Sequence, residues 1–367
     1  MKWSWKIARI AGIDIYIHAT FFLLIYLVGI SYWKQQETLA AVVSGIGFIL
    51  ALFTCVVLHE LGHSLTARRY GIQTRNITLL PIGGVATLEK MPEDPLQEIH
   101  VALAGPAVNF LIAFALYIYM DLRGIPITAE EISVTGGSYL YRLMILNVFL
   151  GGFNLLPAFP MDGGRVLRAV FALRMDHALA TERAASIGQS LALGLGLLGL
   201  IYNPFLVFIA IFIWFGASIE NNAEQLKSIL SDATVQHAML NEFHTLSPED
   251  TLAKAIELTL AGSQKDFPVG YSNQLSKVLH HSDLIKGLQE QGANARISQL
   301  KLQDILTADI NEPLKGLLER MQGNPAQMIC IMNNGQVAGL LNLENILELI
   351  KIHDAVNKHR ANMNHSS

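Results

Sequence analysis

Leu39–Leu58 is a run of twenty uncharged residues that leads directly into His59-Glu60-Leu61-Gly62-His63. About 20 apolar residues are needed to cross the hydrocarbon of a bilayer. On a helix, residues four apart share a face, so both imidazoles can bind one zinc ion. Glu60 falls beside that metal, where it can take a proton from water. Histidine and glutamate are rare in lipid-level helices and mark functional sites there.

Five more runs of this kind flank the motif: Ile15–Trp33, Ile99–Met120, Leu143–Pro160, Ala184–Tyr202 and Pro204–Ile219. A backbone in lipid must satisfy its own hydrogen bonds, so these runs read as six membrane helices. The first run ends in Tyr32, Trp33 and Lys34, which reads as an interface anchor rather than a cleavage site. Lys2, Lys6, Arg9, Arg68, Arg69, Arg75, Lys90, Arg165, Arg168, Arg174 and Arg183 fall on one side of such a bundle. The other side receives Lys34 and Arg123, with Arg142 at the margin. The expectation is a multi-pass protein of the cell's inner (plasma) membrane with its N-terminus and tail in the cytoplasm.

Composition agrees with this division. The first 222 residues carry 28 charged side chains, and the remaining 145 carry another 28. A net charge of −4 gives no footprint for nucleic acid. With 51% hydrophobic residues the chain is not a disordered polymer. Two cysteines, Cys55 and Cys330, exclude a disulfide scaffold, and both are expected to be reduced.

A catalytic zinc takes three protein ligands and keeps one open position. His18 and His100 are weak candidates for the third. The best is Asp162, in Asn154-Leu155-Leu156-Pro157-Ala158-Phe159-Pro160-Met161-Asp162-Gly163-Gly164, where two prolines and two glycines break the helix beside an acid. Broken backbone at membrane depth is tolerated beside protein or a water-filled cavity. The same acid also fits a helix stop opening a cytoplasmic loop.

HELGH in an apolar run, followed about a hundred residues later by NLLPAFPMDGG, resembles the site-2 protease family of intramembrane zinc metalloproteases. The likeness covers roughly residues 10–222. It implies His59, His63 and Asp162 as zinc ligands and Glu60 as general base. Asn154 matches a family asparagine placed near the scissile carbonyl. Ala104-Gly105-Pro106-Ala107-Val108-Asn109 matches another family motif, with Asn109 at the substrate. Gly83, Gly84 and Val85 resemble the family's membrane-dipping hairpin, whose edge can hold an extended substrate. The substrate so implied is a membrane-anchored protein cut within or near a transmembrane helix, as in regulated intramembrane proteolysis.

Residues 223–234 read as a linker, and 235–352 carry an approximate internal repeat. Val235–Met239 and Leu302–Leu306 open its two units. Each continues with a helical pattern, a strand (Phe267–Val269, Met328–Met332), a second strand and a helix start (Ser282–Leu284, Leu343–Asn345). This resembles a tandem pair of CBS domains, which implies an adenine-nucleotide site and a homodimer through the pair. Of the usual nucleotide positions only Asp283 retains the ribose-binding acid. Residues 353–367 form a polar tail. The expected fold is thus mainly α: a polytopic six-helix transmembrane metalloprotease core with a C-terminal cytoplasmic α/β tandem CBS domain. A transporter or channel with a CBS tail is the alternative. It would spread polar residues over several helices, whereas here they concentrate on HELGH and one broken segment.

Overall fold

The computed structural model describes residues 3–352 apart from 82, 89–91, 93, 126–137, 263, 272–273 and 322–327. Lys2, Lys90 and the expected polar tail 353–367 lie outside the described residues. The chain forms two compact units, Met1–Glu224 and Gln225–Ser367.

The first unit opens with strands β1 (Ser4–Ile10) and β2 (Ile13–His18). Helices α1 (Ala19–Gln36) and α2 (Leu39–Arg69) follow, then strands β3 (Thr74–Leu80) and β4 (Gly83–Leu88). The strands form one sheet in the order β1-β2-β3-β4, with β2 and β3 parallel and the other pairs antiparallel. Ile13, Ile15, Ile77 and Leu79 from the sheet close on Phe21 of α1 and on Phe53, Val57 and Leu61 of α2. The sheet is therefore anchored on the helix that carries the histidine motif.

This corrects the first expected span. Its opening residues, from Ile15 to His18, belong to β2, and α1 starts only at Ala19. His18 ends the strand and caps the helix, accepting the Thr20 N–H through Nδ1 at 3.3 Å.

Helices α3 (Pro95–Leu122), α4 (Tyr139–Asn154), α5 (Asp162–Ala172), α6 (His177–Tyr202) and α7 (Pro204–Asp232) complete the bundle. Local chemistry sets their starts. Asp94 caps α3 through the Gln97 N–H, Pro95 occupies its first position, and Asp176 caps α6 through the Ala178 N–H. Among the described residues, four helices are long and apolar enough to cross a membrane: α2, α3, α6 and α7. Helices α1 and α4 are shorter. The expected linker 223–234 is mostly the end of α7, which stays helical through Asp232.

The second unit contains helices α8 (Leu252–Ala261), α9 (His281–Gln291) and α10 (Leu314–Met321). One three-stranded sheet joins β5 (Phe267–Tyr271), β6 (Gln274–Leu279) and β7 (Gln303–Asp304). The other joins β8 (Leu306–Asp309), β9 (Ile329–Asn333) and β10 (Gln336–Leu341), and residues 343–352 are helical. A strand-strand-helix motif occurs twice, and the turns that open the two copies, Val235–His237 and Ile297–Gln299 (the latter ahead of the expected opening at Leu302–Leu306), are exchanged. Val235 and Ala238 pack into the core of the second repeat, with Leu314, Ile329 and Leu341. Ile297 packs into the core of the first, with Phe267 and Leu279.

Candidate metal centre

Helix α2 presents His59 and His63 one turn apart on its buried face. Asp162 joins them from the first turn of α5, ninety-nine residues beyond His63. The Asp162 Oδ2 atom lies 3.2 Å from Nε2 of His59 and 3.1 Å from Nε2 of His63, and the two Nε2 atoms are 3.1 Å apart. Among the described residues this is the group of three His, Cys, Asp or Glu side chains that could hold a metal ion.

The hydrogen bonds on the far side of each ring determine what converges. Nδ1 of His63 donates to the Val101 carbonyl at 2.7 Å. Nδ1 of His59 donates to Asn109 Oδ1. A neutral imidazole has one N–H, so both Nε2 atoms are left as lone pairs beside a carboxylate oxygen. Three acceptors at about 3 Å, buried and with no donor among them, repel unless a cation lies between. Tetrahedral zinc with ligands at about 2.0–2.1 Å brings its donor atoms to roughly 3.3 Å of one another. The residues fit zinc in chemistry and in spacing.

The third helix is shaped to this arrangement. Val101, Gly105 and Asn109 recur every four residues and share one face of α3. Val101 and Asn109 hold the two rings from behind, and Gly105 lies against their Nε2 atoms, leaving no side chain there. On the opposite side, α4 stops at Asn154 and residues 155–161 fold back over the start of α5. A Cβ on Gly163 would stand 2.2 Å from the Leu156 carbonyl oxygen, so the fold-back that delivers Asp162 requires glycine there.

Other expected site residues are placed as follows. Glu60 is half-buried and abuts Gly84, where a Cβ would meet its Cγ at 2.9 Å. Gly83, Gly84 and Val85 lie on β4, an edge strand, with Val85 exposed. Asn154 is half-buried and donates through Nδ2 to the Leu150 carbonyl at 3.0 Å. Asn109, expected at the substrate, is wholly buried, and its amide is engaged by His59 on one side and Asn147 on the other. His18 caps α1, and His100 pairs with the Tyr70 hydroxyl at 2.8 Å, so neither reaches the centre.

Gly105 enters the sequence analysis only as part of the Ala104–Asn109 motif, with no role of its own, and Asn147 does not enter it. An asparagine inside an apolar run was the available signal for Asn147. For Gly105 the motif gives the position but not the reason, because the need for an absent side chain appears only when two helices meet.

In the second unit a cavity of about 700 Å³ is lined by Leu240, Asp266, His280, Ser282, Leu340 and Asn342, among others. Asp266 Oδ1 accepts the His281 N–H at 2.9 Å. Asp283, expected at the nucleotide, is not among the residues lining it. Because α9 starts at His281, Asp283 falls within its first turn, where its Oδ2 is buried without a hydrogen-bond partner.

Comparison with known proteins places these features. The model of peptidase family M50 matches residues 47–199. A zinc metalloprotease of Methanocaldococcus jannaschii is 32% identical over 354 residues, covering 96% of this chain and 97% of the relative. The solved site-2 protease from Methanocaldococcus jannaschii is 41% identical, over 60% of this chain and 95% of that one, with a TM-score of 0.44. A hemolysin-like protein containing a CBS domain, from Oenococcus oeni, is 18% identical over 35% of this chain and 96% of that one, with a TM-score of 0.32.

Proposed function

This chain belongs to peptidase family M50 and is a membrane zinc metalloprotease of the site-2 protease type, and from that premise we propose which of its residues perform the cleavage. The observation that carries the assignment is the convergence of three buried acceptors, Nε2 of His59, Nε2 of His63 and Oδ2 of Asp162. These hold the ion. When bound, zinc supplies Lewis acidity, polarising a carbonyl and lowering the pKa of water from about 15.7 toward about 7.

Glu60, one residue from His59 and facing the edge strand, accepts the proton of the attacking water and passes it to the leaving amine. Asn154 spends one amide N–H on Leu150 and has a second for the developing oxyanion. A transmembrane helix hides its carbonyls in its own hydrogen bonds, so the substrate must unwind. The free edge of β4 at Gly83, Gly84 and Val85 offers the unwound segment a strand to pair with. Gly84 has no side chain to separate that strand from Glu60. The substrate class is a membrane-anchored protein with helix breakers near its cut site.

The protein is an integral membrane protein. In our reading α1 and α4 cross alongside the four longer helices, which makes six spans and puts both the N-terminus and the second unit in the cytoplasm. The lysine and arginine distribution supports this orientation. We read the second unit as a CBS pair because two copies of a strand-strand-helix motif follow one another, each closed by the other's opening segment. Its cavity is the proposed adenine-nucleotide site, with Asp266 in place of Asp283, and the pair is the proposed homodimer contact.

The deciding experiment is Glu60→Gln in purified protein with a membrane-tethered substrate. Zinc content is expected to stay near one per chain while cleavage falls by roughly three or more orders of magnitude. Cleavage at the wild-type rate would remove Glu60 from the chemistry.

A further inference from the structure

We propose that Asn147 of α4, acting through Asn109 of α3, sets the tautomer of His59 and so makes its Nε2 a metal donor; this rests on the reading of the three converging side chains as a zinc site. The Leu143 carbonyl can only accept, and Asn147 Nδ2 donates to it at 2.8 Å. That turns Asn147 Oδ1 outward, where it accepts from Asn109 Nδ2 at 3.0 Å. The Asn109 amide is thereby oriented with Oδ1 toward Nδ1 of His59. An amide oxygen accepts and does not donate, so Nδ1 carries the hydrogen and Nε2 is left with its lone pair.

The polarity of this chain cannot reverse without penalty. Flipping Asn147 would set its oxygen against the Leu143 oxygen. Flipping Asn109 alone would set its oxygen against that of Asn147 and its NH2 against the ring. Asn109 and Asn147 are both 0% exposed, so solvent does not relieve either clash. His63 needs no such relay, because the Val101 carbonyl receives its Nδ1 directly. One zinc histidine is thus set by backbone, and the other by two amides from separate helices. Asn147 is a positioning residue, since it touches neither the ligand atoms nor the open position.

The test uses the full-length protein in detergent, the variant Asn147→Leu, and the double variant Asn147→Leu with Asn109→Asp. Leucine removes the acceptor that orients Asn109, which can then turn an N–H toward the ring. A carboxylate at 109 has only acceptors and no longer needs Asn147. Competition against a chromophoric chelator is expected to show a zinc affinity about 10–100-fold weaker for the single variant, the range for lost support of a metal histidine. In the double variant it should return to within about threefold of wild type on the same account. Nitrogen-15 NMR of zinc-free, histidine-labelled protein should show His59 with its hydrogen on Nδ1 in the wild type and displaced in the single variant. His63 should be unchanged in both. Wild-type affinity in the single variant, or a loss that the double variant does not restore, overturns the proposal. So does a zinc-free wild type with the hydrogen on Nε2 of His59, a result independent of how either variant folds. A wild type that binds no zinc while keeping the Nδ1 hydrogen would count against the metal site and leave the relay standing.

Discussion

A Cβ on Gly105 would stand 2.2 Å from Nε2 of His63, well inside contact distance. The atom nearest that absent side chain is a proposed metal donor, and Nε2 of His59 is 2.7 Å from the same point. Gly105→Ala must therefore displace the rings or separate α2 from α3. Zinc content by elemental mass spectrometry is expected to fall to about a tenth or less, as when metal histidines lose their seating. Gly47→Ala, also on an apolar helix but with nothing within 4 Å of its Cβ, serves as the control and should retain full zinc.

Stripping zinc with a chelator should abolish cleavage, and adding zinc back should restore it. Asp162→Asn replaces a charged donor with a neutral one in a cluster spaced at 3.1–3.2 Å. That variant should fail to recover at the zinc concentration that restores wild type, with affinity about 100-fold or more weaker. Full recovery of the variant would mean that the third donor lies elsewhere.

Arg168 on α5, six residues beyond Asp162, is buried together with Glu98 of α3. Its Nε and Nη2 both donate to Glu98 Oε1, and Nη1 donates to Glu220 of α7 at 2.9 Å. The Glu98 Oε2 atom lies 3.5 Å from His177 of α6. Removing the cation leaves an acid that is 0% exposed without its main partner. Arg168→Met is expected to cost about 3–5 kcal/mol, read as a lower thermal midpoint, and Arg168→Met with Glu98→Met should recover most of that loss. If the double variant is no more stable than the single one, packing rather than charge is what Arg168 supplies.

Burial pushes the Cys330 thiol up to about 11. Because the thiolate is the reactive form, maleimide labelling of this residue at pH 8 should be slower than for a free cysteine by a few-hundred-fold or about that. Denaturant should bring it to the free rate. Fast labelling of native protein would show that the second unit opens readily.

Among the described residues, the cavity of the second unit is lined by the acids Glu242, Asp266, Glu344 and Glu348 and by one lysine, Lys265. Like charges disfavour a triphosphate there. Calorimetry on the full-length protein should give tighter binding for adenosine than for ATP, by about tenfold or more at low salt. No heat with either at millimolar concentration would dismiss the nucleotide reading.

Much of the site is legible in the sequence. Four-residue spacing puts His59 and His63 on one side of a helix wherever that helix is packed. Pro157 and Pro160 keep α4 from continuing into α5, whose first turn holds Asp162, Gly163 and Gly164. The strand at Ile13–His18 was legible too, since Ile13, Ile15 and Ile17 alternate with Asp14, Tyr16 and His18. Apolar length alone does not separate the strand from the helix, because Ile15–Trp33 runs on without a charged residue.

What the chain determined alone is what repeats along it: apolar length, helical period and the points where the backbone must break. These are set by each residue's own geometry and its preference for lipid or water. The tertiary structure decided which carbonyl faces His63, why position 105 has no side chain, how two asparagines orient His59, and which core each opening segment of the repeat enters. Those depend on the rotation and offset of one element against another, which arise from packing summed over many contacts and leave no period in the sequence.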